Sequence, residues 1–295
     1  MAVRQHTAFS FGRVRALTLN TVTELTRMKV FYVVLIFALI LIGGSAFMAR
    51  MSFQQEFQVL KDIALGAMNI FTSLLAIVAT ARLLPQDIED RTVYTILAKP
   101  VSRFEYLLGK LAGVLLLLAI SVIVMSALFF AVLYLREQSV LSETNRQLAG
   151  SPPDQITDAF NAIRASAFNT NLLPGVAIIY VKAALLASLT LLISTFASSN
   201  IFTIIVTVCV YFIGHLEATA REFWLQSQGA GGVARLLFAV IALFFPDFQL
   251  FNLVDDVVVG TAIPAALFFK TAALGCLYIA TYLFLAWAVF YRKEL

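Results

Sequence analysis

Charge is what this sequence has least of. Asp, Glu, Lys and Arg make up 13% of its 295 residues and apolar residues 61%, and the mean hydropathy is +0.90. A soluble domain carries roughly 25% charged residues and about 45–50% apolar ones. A water-soluble protein this poor in polar groups could not cover its own surface, so a soluble enzyme is excluded. Cysteine is nearly absent too. Cys209 and Cys276 both sit in apolar runs without metal-site spacing, which reads as two buried free thiols and excludes a disulfide scaffold. A phosphate-binding loop is missing: Gly109-Lys110 is followed by Leu111, and Phe104 stands where the first glycine of G-x-x-x-x-G-K-[ST] belongs. His215-x-Glu217 lacks the H-E-x-x-H spacing of a zinc protease. No nucleophile–base pair or metal cluster falls at helical spacing, so no catalytic residue, metal ligand or cofactor site is assigned.

What remains is long uncharged runs. A charge at the bilayer centre costs at least about 2.5 kcal/mol, so such runs mark spans. They cover Val30–Ala49, Ile63–Ala81 and Leu111–Leu135. Ala183–Leu216 is also uncharged, but at 1.5 Å per residue it would reach about 50 Å, too long for a hydrocarbon core of about 30 Å. The polar Ser198-Ser199-Asn200 splits it into a hairpin, about Gly175–Phe196 and Ile201–Ala218. A last span covers about Thr271–Tyr291. The expected fold is therefore an all-α membrane protein of six transmembrane helices, a single domain over residues 1–295. The first apolar run follows Lys29 and is too long for a signal-peptide core, so it is expected to persist as the first span.

Orientation follows Lys and Arg. With the N-terminus inside, 12 of these residues face the cytoplasm and 7 the exterior, although the outer loops are longer. Both termini are then cytoplasmic. A net charge of +4 reads as this topological bias and not as nucleic-acid binding.

Four segments flank the spans. Residues 9–29 are amphipathic: Phe11, Val14, Val22 and Leu25 share one face, with Leu17 and Met28 at its edge, while Arg13, Asn20, Glu24 and Arg27 take the other. This suits a helix in the headgroup plane, either a plain anchor or an elbow that receives force. Residues 136–171 form a polar outer loop, in which Ser151-Pro152 reads as an N-cap and a Pro at N1. Residues 235–263 hold two apolar pieces too short to cross, either re-entrant or lying flat on the outer surface.

The fourth segment, 85–106, is the most informative. Asp87 can cap a short helix running to about Ala98, with Glu89 and Asp90 near its positive end. Lys99 precedes Pro100, which turns the chain. Ser102 and Glu105 then form an S-x-x-E capping box that opens the third span. Spacing alone leaves two readings: a solvated loop, or a rigid charged element that passes a push into the bilayer.

Near the outer side, Lys182 lies within the fourth span, and His215 and Glu217 lie near the end of the fifth. Lys182 either snorkels or pairs with Glu217 at an outer gate. No span carries a mid-depth Asp or Glu, which weighs against a proton- or sodium-coupled carrier. Thr72, Ser73, Ser121, Ser126, Thr203 and Thr207 could line a path, though such residues usually serve helix packing.

The run IEDRTVYTILAKPVSRFEYLLGK resembles the signature of ABC type-2 transporter permeases. The match falls on Glu89, Asp90, Arg91, Thr92, Ile96, Leu97, Lys99, Pro100, Val101, Ser102, Arg103, Gly109 and Lys110. That family more often has Gly in place of Arg91 and Leu in place of Val93. The resemblance implies a permease subunit of an exporter in a bacterial inner membrane. It would pair with a second permease and with two copies of a cytoplasmic ATPase subunit, which use ATP and Mg. Coupling to the ATPase would fall on Asp87, Glu89, Asp90, Arg91, Lys99, Pro100, Ser102, Arg103 and Glu105, with re-entrant helices at 235–263. The rivals are an ATPase-independent carrier or channel, and a membrane assembly scaffold.

Overall fold

The computed structural model describes residues 9–49, 55–91, 101–149, 152–169, 171–197, 199–226, 246–252, 254–260 and 264–292, with main chain only at 217–226 and 255. Among the described residues every regular element is helical. The order is α1 (Phe11–Thr26), α2 (Lys29–Ala49), α3 (Glu56–Glu89), α4 (Arg103–Gln147), α5 (Pro153–Ala167), α6 (Leu172–Phe196) and α7 (Asn200–Gln226). A single 3-10 turn (Phe248–Phe251), α8 (Val254–Val259) and α9 (Ala265–Arg292) complete it.

Five helices are long and apolar enough to cross a membrane: α2, α3, α4, α6 and α9. The apolar part of α7, Asn200–Leu216, is shorter. Large apolar side chains stand outward along α2 (Val33, Ile36, Phe37, Ile40, Phe47) and α9 (Phe269, Leu277, Phe284). Rows of this kind are untenable against water and natural against hydrocarbon. The architecture is that of a multi-pass membrane protein.

The core is built around α6. In the most apolar stretch between Pro153 and Phe196, 78% of the residues are buried, against 28% in α2 and in α9. Helix α6 packs on α3, α9, α4 and α7. Its Ser188, Thr190 and Ser194 hydroxyls donate to carbonyls of their own helix, so it carries polar side chains without orphaned donors. Of the expected split at Ser198-Ser199-Asn200, Ser198 lies outside the described residues; α6 ends at Phe196 and α7 begins at Asn200, so the uncharged run is two separate helices.

Two helices run past their expected spans. Helix α4 has 45 residues, about 67 Å at 1.5 Å each, or twice a hydrocarbon core. Its far end carries the first part of the expected 136–171 loop as continuous helix. Helix α3 runs through Pro85 to Glu89. Asp87 therefore lies inside α3 and is not the cap of a new helix. Pro85 has no N–H to give the Ala81 carbonyl, yet packing buries it and holds the last turn helical. The turn ends at Arg91, whose φ of 56° is left-handed. The rest of the expected 87–98 helix, and Lys99 and Pro100, lie outside the described residues.

Three smaller expectations shift. The cap of α5 is Pro152 with Pro153 at N1, one residue beyond the expected pair. Cys209 and Cys276 are exposed on the outside of the chain and not buried. Of segment 235–263, residues 235–245 and 261–263 lie outside the described residues. The Phe248–Phe251 turn and α8 are tucked in, with Phe248, Phe251 and Val257 buried against α6, α7 and α9.

Candidate functional site

The first two turns of α4, at the end of the bundle that carries α1, gather a set of buried charge from several helices. The local cause is the capping box. Ser102 Oγ accepts from the Glu105 N–H at 3.1 Å, and Glu105 Oε2 accepts from the Ser102 N–H at 2.9 Å. That fixes Glu105 in place with its other oxygen free to reach α1. Glu105 Oε1 accepts from the Ser10 N–H at 2.7 Å and from Arg13 Nη2 at 2.7 Å. The carboxylate thus caps two helix starts at once, its own and that of α1.

Burial alone would raise the Glu105 pKa. Hydrogen bonds from Arg13, Ser102 and Ser10, with the Arg13 charge, outweigh it and hold the carboxyl at about 2. The group lies outside the uncharged stretch 111–135 and is ionised at neutral pH.

One turn further, Lys110 is 2% exposed. Its ammonium lies 2.7 Å from Asp87 Oδ2 and 3.1 Å from Glu24 Oε2. Tyr106, one turn before Lys110 on the same face, donates its hydroxyl to Asp87 Oδ2. Burial and the Asp87 charge push the phenol pKa upward, so it stays a donor. The Tyr106 ring stacks on Phe290 of α9 at 5.9 Å. Arg103 closes the set: its Nη1 donates to the carbonyls of Phe290 at 2.7 Å and Tyr291 at 2.9 Å, the bare C-terminal end of α9. Helices α1, α3, α4 and α9 are thereby joined by groups within two turns of α4.

Close approach makes this possible. A Cβ on Gly109 would stand 2.6 Å from Leu17 Cβ, and one on Gly113 would stand 2.6 Å from Thr21 Cβ. The G-x-x-x-G spacing of Gly109 and Gly113 opens a groove in α4 for α1. Consequently α1 does not sort its faces as the sequence pattern predicts. Val14, Thr21 and Leu25 are buried, Arg13 and Glu24 turn toward α4, and Phe11 is 80% exposed.

Within the bundle, Lys182 is buried on α6 and its ammonium lies 3.1 Å from His215 Nε2. His215 Nδ1 is 2.9 Å from the Tyr211 carbonyl. With Nδ1–H donating there, Nε2 is free to accept from the ammonium. Lys182 also sits 5.8 Å over the Tyr211 ring, and the His215 ring stacks on Phe248. The partner that the described side chains give Lys182 is thus His215; the Glu217 side chain lies outside them. At the start of α3, Arg136 pairs with Glu56 at 2.6 Å, and Lys61 Nζ donates to the Ser166 carbonyl at 2.8 Å.

Of the residues singled out from sequence, Asp87, Ser102, Arg103 and Glu105 come together at the base of α4. Glu89, Asp90 and Arg91 stand exposed at the end of α3. Lys182 and His215 meet far away. Sequence reasoning missed Arg13, Glu24 and Tyr106 as members of the cluster and gave Lys110 no partner. A legible signal existed for part of it: Tyr106 and Lys110 are four apart, hence on one helix face. Ser121, Ser126, Thr203 and Thr207 all donate back to their own helices, as packing residues do.

Among the described residues no group of three or more His, Cys, Asp or Glu is placed to hold a metal ion. The chemistry of the α4 cluster is to fasten helices to one another. No protein-family model matches the chain, and no curated protein does.

Proposed function

We propose that this chain is the membrane-spanning subunit of an ATP-binding cassette transporter of the type-2 kind, moved by ATPase subunits on separate chains. The observation that carries the reading is the fastening of both stems of segment 92–100. The α3 stem is held through Asp87, and the α4 stem through Ser102 and Glu105. A load on that segment displaces α3, α4, α1 and α9 together, because the buried Lys110–Asp87 pair, costing about 3–5 kcal/mol to break, ties α3 to α4, and Arg13–Glu105 and the Arg103 hydrogen bonds tie α1 and α9 to α4. The resemblance over residues 88–110 supplies the source of the load: a cytoplasmic ATPase, present twice, using ATP and Mg. The segment then acts as the coupling element, α1 as the elbow, and α7 as the fifth of six spans. Lys182 and His215 stand toward the outer gate of an exporter in a bacterial inner membrane. A second permease copy covers apolar rows now exposed, and both termini are cytoplasmic.

The test is copurification followed by an ATPase assay in membranes. Glu89 is exposed and outside the buried cluster, which makes Glu89→Ala the clean probe. Arg103→Ala is not, because Arg103 holds the end of α9. Glu89→Ala is expected to lower permease-stimulated ATPase activity by about fivefold or more with insertion intact. Full stimulation in that variant would remove the coupling role. Cargo movement by the purified chain alone would replace the reading with a self-sufficient carrier.

A further inference from the structure

A second charged feature lies beside the α4 cluster and shares one residue with it, Glu24. The junction of α1 and α2 and the last turns of α3 enclose a cleft of about 390 Å³, lined by Glu24, Arg27, Met28, Lys29, Arg82 and Gln86 among others. Three of these are cations. Arg27, Lys29 and Arg82 are all exposed, and none makes an ion pair among the described residues. Arg82 donates to Gln86 Oε1 at 2.6 Å, which orients its guanidinium without neutralising it. The one carboxylate in the lining, Glu24, is engaged by Lys110 at 3.1 Å. The cleft is therefore an anion site by charge.

Its depth says which anion. On α2 the uncharged run begins at Val30, directly after Lys29, and on α3 it ends at Ala81, directly before Arg82. The cations thus stand at the boundary where headgroups lie. The cleft continues into an apolar crevice that shares Leu25, Met28 and Val30 with it and is walled by Phe31, Leu75 and Val78. That crevice holds only about 10 Å³, so it seats the edge of an acyl chain and does not swallow one. Val30, 43% exposed, extends the apolar wall outward.

We propose that this cleft binds an anionic phospholipid. Its phosphate sits among Arg27, Lys29 and Arg82, and its acyl chain runs down the Val30–Leu75 side. A soluble phosphate would use the charge and not the crevice. An acidic peptide would find no depth for an apolar anchor. The lipid would bridge the α1–α2 joint to α3. The inference does not depend on the transport reading, and needs only the membrane setting of the helices.

The experiment uses the full chain in nanodiscs, with bound lipid read by native mass spectrometry and by displacement of a fluorescent phosphatidylglycerol. Palmitoyl-oleoyl phosphatidylglycerol is expected to be retained over phosphatidylcholine. Its affinity should fall about fivefold in Arg82→Gln and about a hundredfold in Arg27→Gln/Lys29→Gln/Arg82→Gln. Arg15→Gln, exposed on α1 outside the cleft, should bind as the parent does. Size-exclusion profile and helical content show that each variant is folded. If the triple variant misfolds, Arg82→Gln alone decides. Equal retention of both lipids, or unchanged affinity in Arg82→Gln, overturns the proposal. Displacement by inorganic phosphate or dihexanoyl phosphatidylglycerol as effective as by the long-chain lipid also overturns it, since the site would then be a bare phosphate site.

Discussion

The ammonium of Lys110 lies 2.7 Å from the Asp87 carboxylate, and both groups are buried. Each supplies the opposite charge that the other's buried position requires, and Glu24 adds a second carboxylate 3.1 Å from the ammonium. Removing one partner leaves a stranded charge. Lys110→Met is expected to lower stability by about 3–5 kcal/mol, and Asp87→Asn by a comparable amount. Lys110→Met with Asp87→Asn should cost less than the sum of the two. A double-mutant cycle on thermal or denaturant unfolding in detergent checks this, and strict additivity would show that the two side chains do not interact.

Glu105 gives a pH dependence with a definite sign. Its folded pKa is held at about 2, below the ordinary 4.5. The stabilisation it contributes is therefore complete above the unfolded value and is lost as pH falls from about 4.5 toward about 2. Unfolding midpoints measured across that window should decline in the parent. In Glu105→Gln the starting stability is lower by about 2–4 kcal/mol, and the part of the decline due to this group disappears. An identical slope in both proteins would dissociate Glu105 from the acid transition.

The groove in α4 is sensitive to single methyl groups. Gly113→Ala places a Cβ 2.6 Å from Thr21 Cβ, which is fixed to the α1 backbone, and 3.1 Å from the Thr18 carbonyl oxygen. Helix α1 must lift, at a cost of about 1–3 kcal/mol. Lifting also stretches the contacts of Arg13 and Glu24. Trypsin should then cut at Arg13 and Arg15 faster in the variant than in the parent. Equal cutting rates would mean that α1 tolerates the extra volume.

Arg91 closes α3 in the left-handed region, with its N–H donating to the Ile88 carbonyl at 3.2 Å. A residue with a Cβ is disfavoured there by about 1–2 kcal/mol. Arg91→Gly is expected to stabilise the folded chain by roughly 0.5–1 kcal/mol, part of the gain being lost to the freer unfolded chain. A lower unfolding midpoint in that variant would show that the Arg91 side chain contributes more than its backbone costs.

The apolar skeleton was legible because bilayer thickness and the cost of charge act on single runs of sequence. The spans of α2, α6 and α9, and the separation of α6 from α7, needed no tertiary information. The capping box of Ser102 and Glu105 was legible for the same reason, being local. Asp87 was misplaced because its propensity to cap competes with packing: Lys110 and Tyr106 hold it inside α3, and neither is near it in sequence. Arg13 and Glu24 were assigned to the outward face because amphipathic patterning treats charge as solvent-seeking. Here each meets an opposite charge on α4, and only the folded chain brings those together. The two cysteines were expected inside because apolar runs were equated with burial, whereas in a bundle of this kind an apolar run can face outward.

The near-complete enclosure of α6 has a consequence for how the chain is made. Helices leave the ribosome in order, so α2, α3 and α4 are synthesised before the element that fills the seam among them. Until Leu172–Phe196 arrives, α3 can pack on α2 and α4 but lacks its neighbour α6. The order of synthesis therefore brings the most enclosed helix of the bundle to α2, α3 and α4 after all three have been made.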